Sequence, residues 1–249
     1  MSDLVVTYLG GPTALLEYAG LTILTDPTFD APRAYEEPGS TTLVKTHAPG
    51  LAVAGLPPIH LILLSHHEHE DNLDTAGLAL VRSSIPTLTT PFAAEALDLT
   101  SVRGLAPWEQ TARRGFTVTA VPAFHGPGDV VGPVTGFVLE APDLPAVYVS
   151  GDNSELDVVA EIAARFTSID IAILFAGAAR VPEIDAALTL TSTDAAAATR
   201  MLGARAVVGV HTEDWEHFSE SRADLEGAFA AAGMADLLVA TPRGARVPL

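Results

Sequence analysis

Apolar residues along this chain come in short runs, each about the length of a strand or of a few helical turns, with polar and turn-forming residues between them. In the first quarter LVVTYL (4–9), TALLEYA (13–19) and LTILTD (21–26) read as strands, the last two joined by a turn at Gly20. Residues 31–57 are proline-rich and irregular, and read as a surface loop able to overhang a site. HLILLS (60–65) has the continuous apolar character of a buried strand and leads, through a polar loop, to a helix from about Leu73 to Arg82. Further strands are predicted at TVTAVPA (117–123), VTGFVLE (134–140), AVYVS (146–150), IDIAILF (169–175) and AVVGVH (206–211). Three helices lie between or after them. SELDVVAEIAARF (154–166) has Ser154 and Asp157 in capping-box spacing, STDAAAATRMLGA (192–204) carries Gly203 near its end, and SRADLEGAFAAAG (221–233) closes on Gly233. Strands come first and then alternate with helices, which predicts sheets covered by helices in α/β or layered α+β form. No low-complexity linker or charge block interrupts the chain, so residues 1–249 read as one domain.

Composition narrows the function classes. With 48% hydrophobic residues there is ample material for a core. No apolar run approaches the ~20 residues needed to span a bilayer, and MSDLVVTYLGG lacks the basic start of a signal peptide. The expectation is a soluble, cytoplasmic protein. There is no cysteine, which excludes disulfides, thiolate nucleophiles and cysteine-ligated metals. A net charge of −18 opposes nucleic acid and anionic membranes, leaving a small molecule as the expected partner, and Lys45 is the only lysine.

Candidate chemistry concentrates where strands end. Behind the strand at 60–65 comes SHHEHEDNLD (65–74), with His66, His67 and His69. His125 follows TVTAVPAF, Asp152 follows AVYVSG, and His211 ends AVVGV. Strand ends on one edge of a sheet converge, and ligands bind beyond them. Imidazoles and carboxylates meeting there suit zinc, manganese or iron. If residues 66–71 are extended, alternation puts His67, His69 and Asp71 in one row and turns His66, Glu68 and Glu70 away, the glutamates onto a solvated face. Asn72 offers a neutral amide, Asp74 suits a helix cap, and Asn153 either touches the site or, as the favoured reading, starts the next helix. His47 and His60 read as structural. Glu213, Asp214, Trp215 and His217 crowd the loop after His211, the tryptophan either as part of a site rim or as partly buried structure.

This arrangement resembles the metallo-β-lactamase fold hydrolases, whose signature is His-x-His-x-Asp-His behind a strand. The resemblance extends over nearly the whole chain. TYLGGPTALLEYAGLTILTDPTF looks like the family's opening strands with their Thr-Asp-Pro turn (Thr25, Asp26, Pro27). VPAFHG, VYVSGDN and VVGVH supply the later landmarks, and LTSTDAAAATRMLGARAVVGVHTEDWEHF is similar to the ascorbate-6-phosphate lactonase and N-acyl-phosphatidylethanolamine phospholipase D branch. The resemblance implies an αββα sandwich of α+β class, with two mixed sheets face to face and helices outside. It also implies one or two divalent ions, Zn2+ above Mn2+ or Fe. A first metal would lie on His67, His69 and His125, a second on Asp71 and His211, and Asp152 would bridge them. Aligned from the serine on the left, His66 leads the site; aligned from DNLD on the right, His67 does. Asp71 and Asp152 are the implied catalytic carboxylates, and the implied reaction is attack by a metal-bound hydroxide on an ester, lactone or phosphodiester. Two positions depart from the pattern: Asn72 stands where the signature ends in histidine, and Gly11 where a histidine is often found in the first strand turn. They motivate the rival expectation, a non-catalytic relative with weakened metal binding that acts as a ligand- or protein-binding module.

Overall fold

The computed structural model describes residues 4–36, 41–126 and 132–249. Its strands are β1 (Leu4–Gly10), β2 (Thr13–Tyr18), β3 (Leu21–Thr25), β4 (Arg33–Tyr35), β5 (Leu43–Lys45), β6 (Leu61–Leu63), β7 (Thr87–Thr89) and β8 (Val102–Gly104), then β9 (Gln110–Arg113), β10 (Phe116–Pro122), β11 (Thr135–Glu140), β12 (Val147–Val149), β13 (Ile171–Phe175), β14 (Ala206–Val210) and β15 (Arg246–Pro248). Its helices are α1 (Thr75–Arg82), α2 (Pro91–Leu97), α3 (Leu156–Arg165), α4 (Ser192–Leu202) and α5 (Arg222–Ala231). Among the described residues no helix is long and apolar enough to cross a membrane.

Two mixed sheets dominate. The first runs β15-β1-β2-β3-β6-β7-β8, antiparallel as far as β3 and parallel from β3 onward. The second runs β14-β13-β12-β11-β10-β9, parallel from β14 to β12 and antiparallel beyond.

Strand periodicity sorts the side chains into layers. Leu4, Val6 and Tyr8 of β1, Leu61 and Leu63 of β6, Val118 and Ala120 of β10, and Ile171, Ile173 and Phe175 of β13 share one buried cluster between the sheets. The intervening residues face outward. Leu15, Leu24 and Ile62 pack with Val81 of α1, while Val138, Tyr148, Ala172 and Val207 pack with Val159, Ile162, Ala198, Leu225 and Phe229 of α3, α4 and α5. Helix, sheet, sheet and helix layers follow, the α+β sandwich that the resemblance implied.

Helix ends follow local chemistry in four of the five α-helices. Asp74, Thr90, Thr191 and Ser221 each accept a backbone N–H of their helix's first turn, and Ser221 with Asp224 forms a full capping box. The box expected at Ser154 and Asp157 does not form. The Ser154 hydroxyl donates instead to Phe124 O, and α3 starts behind Glu155 with no side-chain cap. Residues 31–36 and 41–57 are also more regular than expected. β4 and β5 pair, and the segment lies on the loop after β14 through Thr46 N to Asp214 O and Glu216 N to Val44 O. Residues 37–40 lie outside the described residues.

Candidate metal centre

Four strand ends deliver the site. β6 leads into residues 65–72, β10 into His125, β12 into Asp152 and β14 into His211. The first belongs to one sheet and the other three to the second, so the site bridges the sandwich at one edge. Two backbone features hold the edge closed. Thr135 N donates to Ser65 O at 3.1 Å. Gly151 has φ +58°, and a Cβ there would come within 2.6 Å of Thr135 O and 3.0 Å of Ser65 Cβ. Only glycine lets the turn carrying Asp152 approach the loop carrying His66 so closely.

Six side chains gather in two triads. His66, His69 and His125 present nitrogens within 4.8 Å of one another, and Asp71, Asp152 and His211 present an oxygen or nitrogen each within the same distance. In the first triad His66 Nε2 lies 2.8 Å from His69 Nδ1, and His125 Nε2 lies 3.3 Å from that atom. In the second, His211 Nε2 is 3.2 Å from Asp71 Oδ2 and 3.6 Å from Asp152 Oδ1. Asp152 joins the two, because its Oδ2 faces His125 Nε2 at 3.6 Å.

His66 enters the first triad, and His67 stands outside both. The alternation behind the row of His67, His69 and Asp71 presumed an extended segment, but this loop bends. Asn72 N and Leu73 N both donate to His69 O, a turn in which residues two apart no longer share a direction. His67 packs against Phe92, ring centroids 5.7 Å apart, and its Nδ1 sits 2.9 Å from Glu68 Oε2. Glu68 and Glu70 are half-buried rather than solvated, Glu68 lying against Gly132.

The outer nitrogens of the imidazoles are assigned by their partners. His125 Nδ1–H donates to Leu188 O at 2.7 Å, leaving a lone pair on Nε2. Behind His66, Ser65 Oγ donates to Asp26 Oδ1 at 2.7 Å and accepts from His66 Nδ1–H at 3.0 Å and Asn72 Nδ2–H at 3.3 Å. One donor and two lone pairs are thereby all used. His66 Nε2 is left bare toward His69, and Asn72 is held with its other contact, a donation to Asp152 Oδ1 at 3.2 Å. Asn153, expected to start α3, instead accepts from Phe124 N at 3.0 Å and so fixes the residue beside His125.

Electrostatics separates the triads. Burial, then the adjacent His69 and His125, holds His66 well below the usual imidazole value, and burial likewise lowers His125. The second triad is charged. Burial opposes ionisation of Asp71, but the His217 and His211 imidazoles outweigh it and hold the carboxyl well below the usual range. Burial would lower His211, yet Asp152 and Asp71 outweigh that and raise it. Asp26, fully buried behind the site, is pushed up to about 8 by desolvation.

This donor set fits divalent cations. Asp152 Oδ2 is buried with no hydrogen-bond partner among the described residues, and two imidazole nitrogens facing each other at 2.8 Å need a shared proton or a cation between them. His217 also reaches the site, its Nε2 3.0 Å from Asp71 Oδ2. Its sequence signal was only its place in the crowded loop after His211, six positions beyond that residue and outside any strand pattern. His47 is exposed, 3.6 Å from Asp214, and His60 accepts from Thr22 N; neither approaches the triads. Gly11 has φ +51°, and its Cβ position lies 3.1 Å from the buried Trp215 indole nitrogen, so a side chain there would be strained by the backbone and crowded by the indole.

Known proteins share this architecture. A structure of isothiocyanate hydrolase from Delia radicum gut bacteria superposes with a TM-score of 0.85 at 22% identity, covering 98% of each chain. A possible metal-dependent hydrolase from Veillonella parvula gives 0.85 at 18% identity over the whole of both chains. In sequence, the chain is 28% identical over 136 residues to a metal-dependent hydrolase of Pelotomaculum thermopropionicum, a match that spans 51% of this chain and only 55% of that protein. The family model described as the β-lactamase superfamily domain matches residues 22–212, and the chain belongs to that family, with the metallo-β-lactamase fold.

Proposed function

We propose that the protein is a metal-dependent hydrolase acting on an ester, lactone or phosphodiester of a small substrate. The observation that carries this reading is the pair of triads joined by Asp152, three imidazoles on one side and two carboxyl groups with an imidazole on the other. His66, His69, His125 and Asp152 would hold one divalent ion, and Asp71, Asp152 and His211 a second. Such ions supply a Lewis acid and a water activated near neutral pH. The chain's own part is positioning. Leu188 O and Ser65 Oγ fix the tautomers of His125 and His66, so their Nε2 lone pairs face inward without rearrangement. Asp71, kept ionised by its flanking imidazoles, offers a carboxylate that accepts a hydrogen bond and so can orient the attacking water.

Zinc is the expected ion, with manganese and iron as alternatives, since imidazole and carboxylate without thiolate suit all three. The test is a panel of lactones, phosphodiesters, carboxylic esters and thioesters, with an isothiocyanate added because the Delia radicum gut-bacterial enzyme of like fold is a hydrolase of that class. Turnover by the wild type with a His69→Ala blank losing it at least ~100-fold supports the reading. Equal rates for wild type and blank on every substrate favour the rival, a binding module; its specific support is Asn72, whose amide donates to Asp152.

A further inference from the structure

Asn72 faces the second triad as a donor. Its amide hydrogens reach Asp152 Oδ1 and Ser65 Oγ, and turning the amide over would set its oxygen against a carboxylate. Position 72, where the family signature carries histidine, thus supplies no imidazole, only an amide whose nitrogen is taken up by Asp152 and Ser65. The loop after β14 brings another imidazole to the same place. His217 Nε2 lies 3.0 Å from Asp71 Oδ2, the oxygen that His211 Nε2 approaches at 3.2 Å. The His217 side chain is only 10% exposed. Its Nδ1 is buried with no hydrogen-bond partner among the described residues, so the only polar group that engages the ring is Asp71.

The ring is also held from behind. It meets Phe218 at 4.7 Å and Trp215 at 6.1 Å, both edge to face, and its backbone carbonyl accepts from Arg180 N at 2.9 Å. An imidazole buried this deeply for one shared carboxylate oxygen bears a desolvation cost that a cation beside Asp71 would offset.

We propose that His217 is a ligand of a second metal position, completing Asp71, Asp152 and His211 with the imidazole that position 72 does not supply. The proposal rests on the hydrolase reading and deepens it, since it restores a donor set of two carboxylates and two imidazoles to a site otherwise one ligand short.

Zn2+ titration of chelator-stripped protein, followed by calorimetry with a competing chelator, tests it without reference to activity. The wild type is expected to take up two equivalents. His217→Ala should keep the first, which also reports that the variant is folded, and weaken the second by more than the ~10–100-fold that loss of an outer hydrogen-bond partner produces. An Asn72→His/His217→Ala double variant should regain the second equivalent. Two equivalents with unchanged affinities in His217→Ala overturn the proposal, as does a wild type that binds one equivalent only, which leaves the hydrolase reading standing. Failure of the wild type to bind any Zn2+ overturns both.

Discussion

Ser65 and Asp26 show how much of a site can hang on residues that never touch it. Asp26 accepts from both Ser65 N and Ser65 Oγ, and Ser65 in turn orients His66 and Asn72. Pushed up to about 8 by burial, Asp26 holds its proton at neutral pH. Its folded value exceeds its unfolded one, so the folded state binds the proton more tightly and loses stability as pH rises from about 4 to about 8. Asp26→Asn keeps the accepting oxygen and cannot ionise. In chelator-stripped protein it should match the wild type near pH 4 and exceed it in urea denaturation by a margin that grows toward pH 8; a constant or shrinking margin would show that Asp26 is ionised.

At this scale the sequence was partly legible. Residue types and strand ends located His69, Asp71, His125, Asp152 and His211, all of which enter the triads. The choice between His66 and His67 was not legible, because it depends on a turn closed by backbone bonds to His69 O that no side-chain pattern announces. His217 escaped for the same reason, being placed by the path of a loop.

Among elements, the strands flanking the site were legible and the short strands at or beside the sheet edges were not. β3, β6, β10, β11, β12, β13 and β14 coincide with apolar runs whose faces are both buried. β7, β8 and β9 are three or four residues long and carry Thr, Arg and Gln, so pairing rather than pattern makes them strands. α1 is tied down by something no helix rule foresees. Its cap Asp74 accepts from Gly77 N and Asp30 N and from the sole lysine, Lys45, at 2.9 Å, a pair 2% and 0% exposed. Breaking one partner of a buried pair leaves an uncompensated charge. Lys45→Met should cost about 3 kcal/mol in chemical denaturation, and a Lys45→Met/Asp74→Asn variant should recover part of that. A loss below about 0.5 kcal/mol would mean that Asp74 is satisfied by its backbone donors alone.

For the molecule as a whole, the site exists only because two sheets meet at one edge. The order of strands and helices left α/β and layered α+β both open, and the layer order came from the family resemblance; in the structure each strand segregates its side chains between the inner cluster and a helix face. The closeness of the edge could not be read from the sequence, because it depends on Gly151 and the bond from Thr135 to Ser65. Gly151→Ala would put a methyl group 2.6 Å from Thr135 O at a left-handed φ. It should destabilise the fold by about 1–3 kcal/mol and weaken metal binding along with it. Wild-type stability with intact metal uptake would place the closure of the edge elsewhere.

The central claim is that the chain holds its metal through His66, His69 and His125. Elemental analysis of protein purified without chelator tests it most directly. The wild type should carry at least one equivalent of zinc, manganese or iron, His66→Ala should lose it, and His67→Ala should keep it. Less than about half an equivalent in the wild type, with no uptake on reconstitution, would contradict the account.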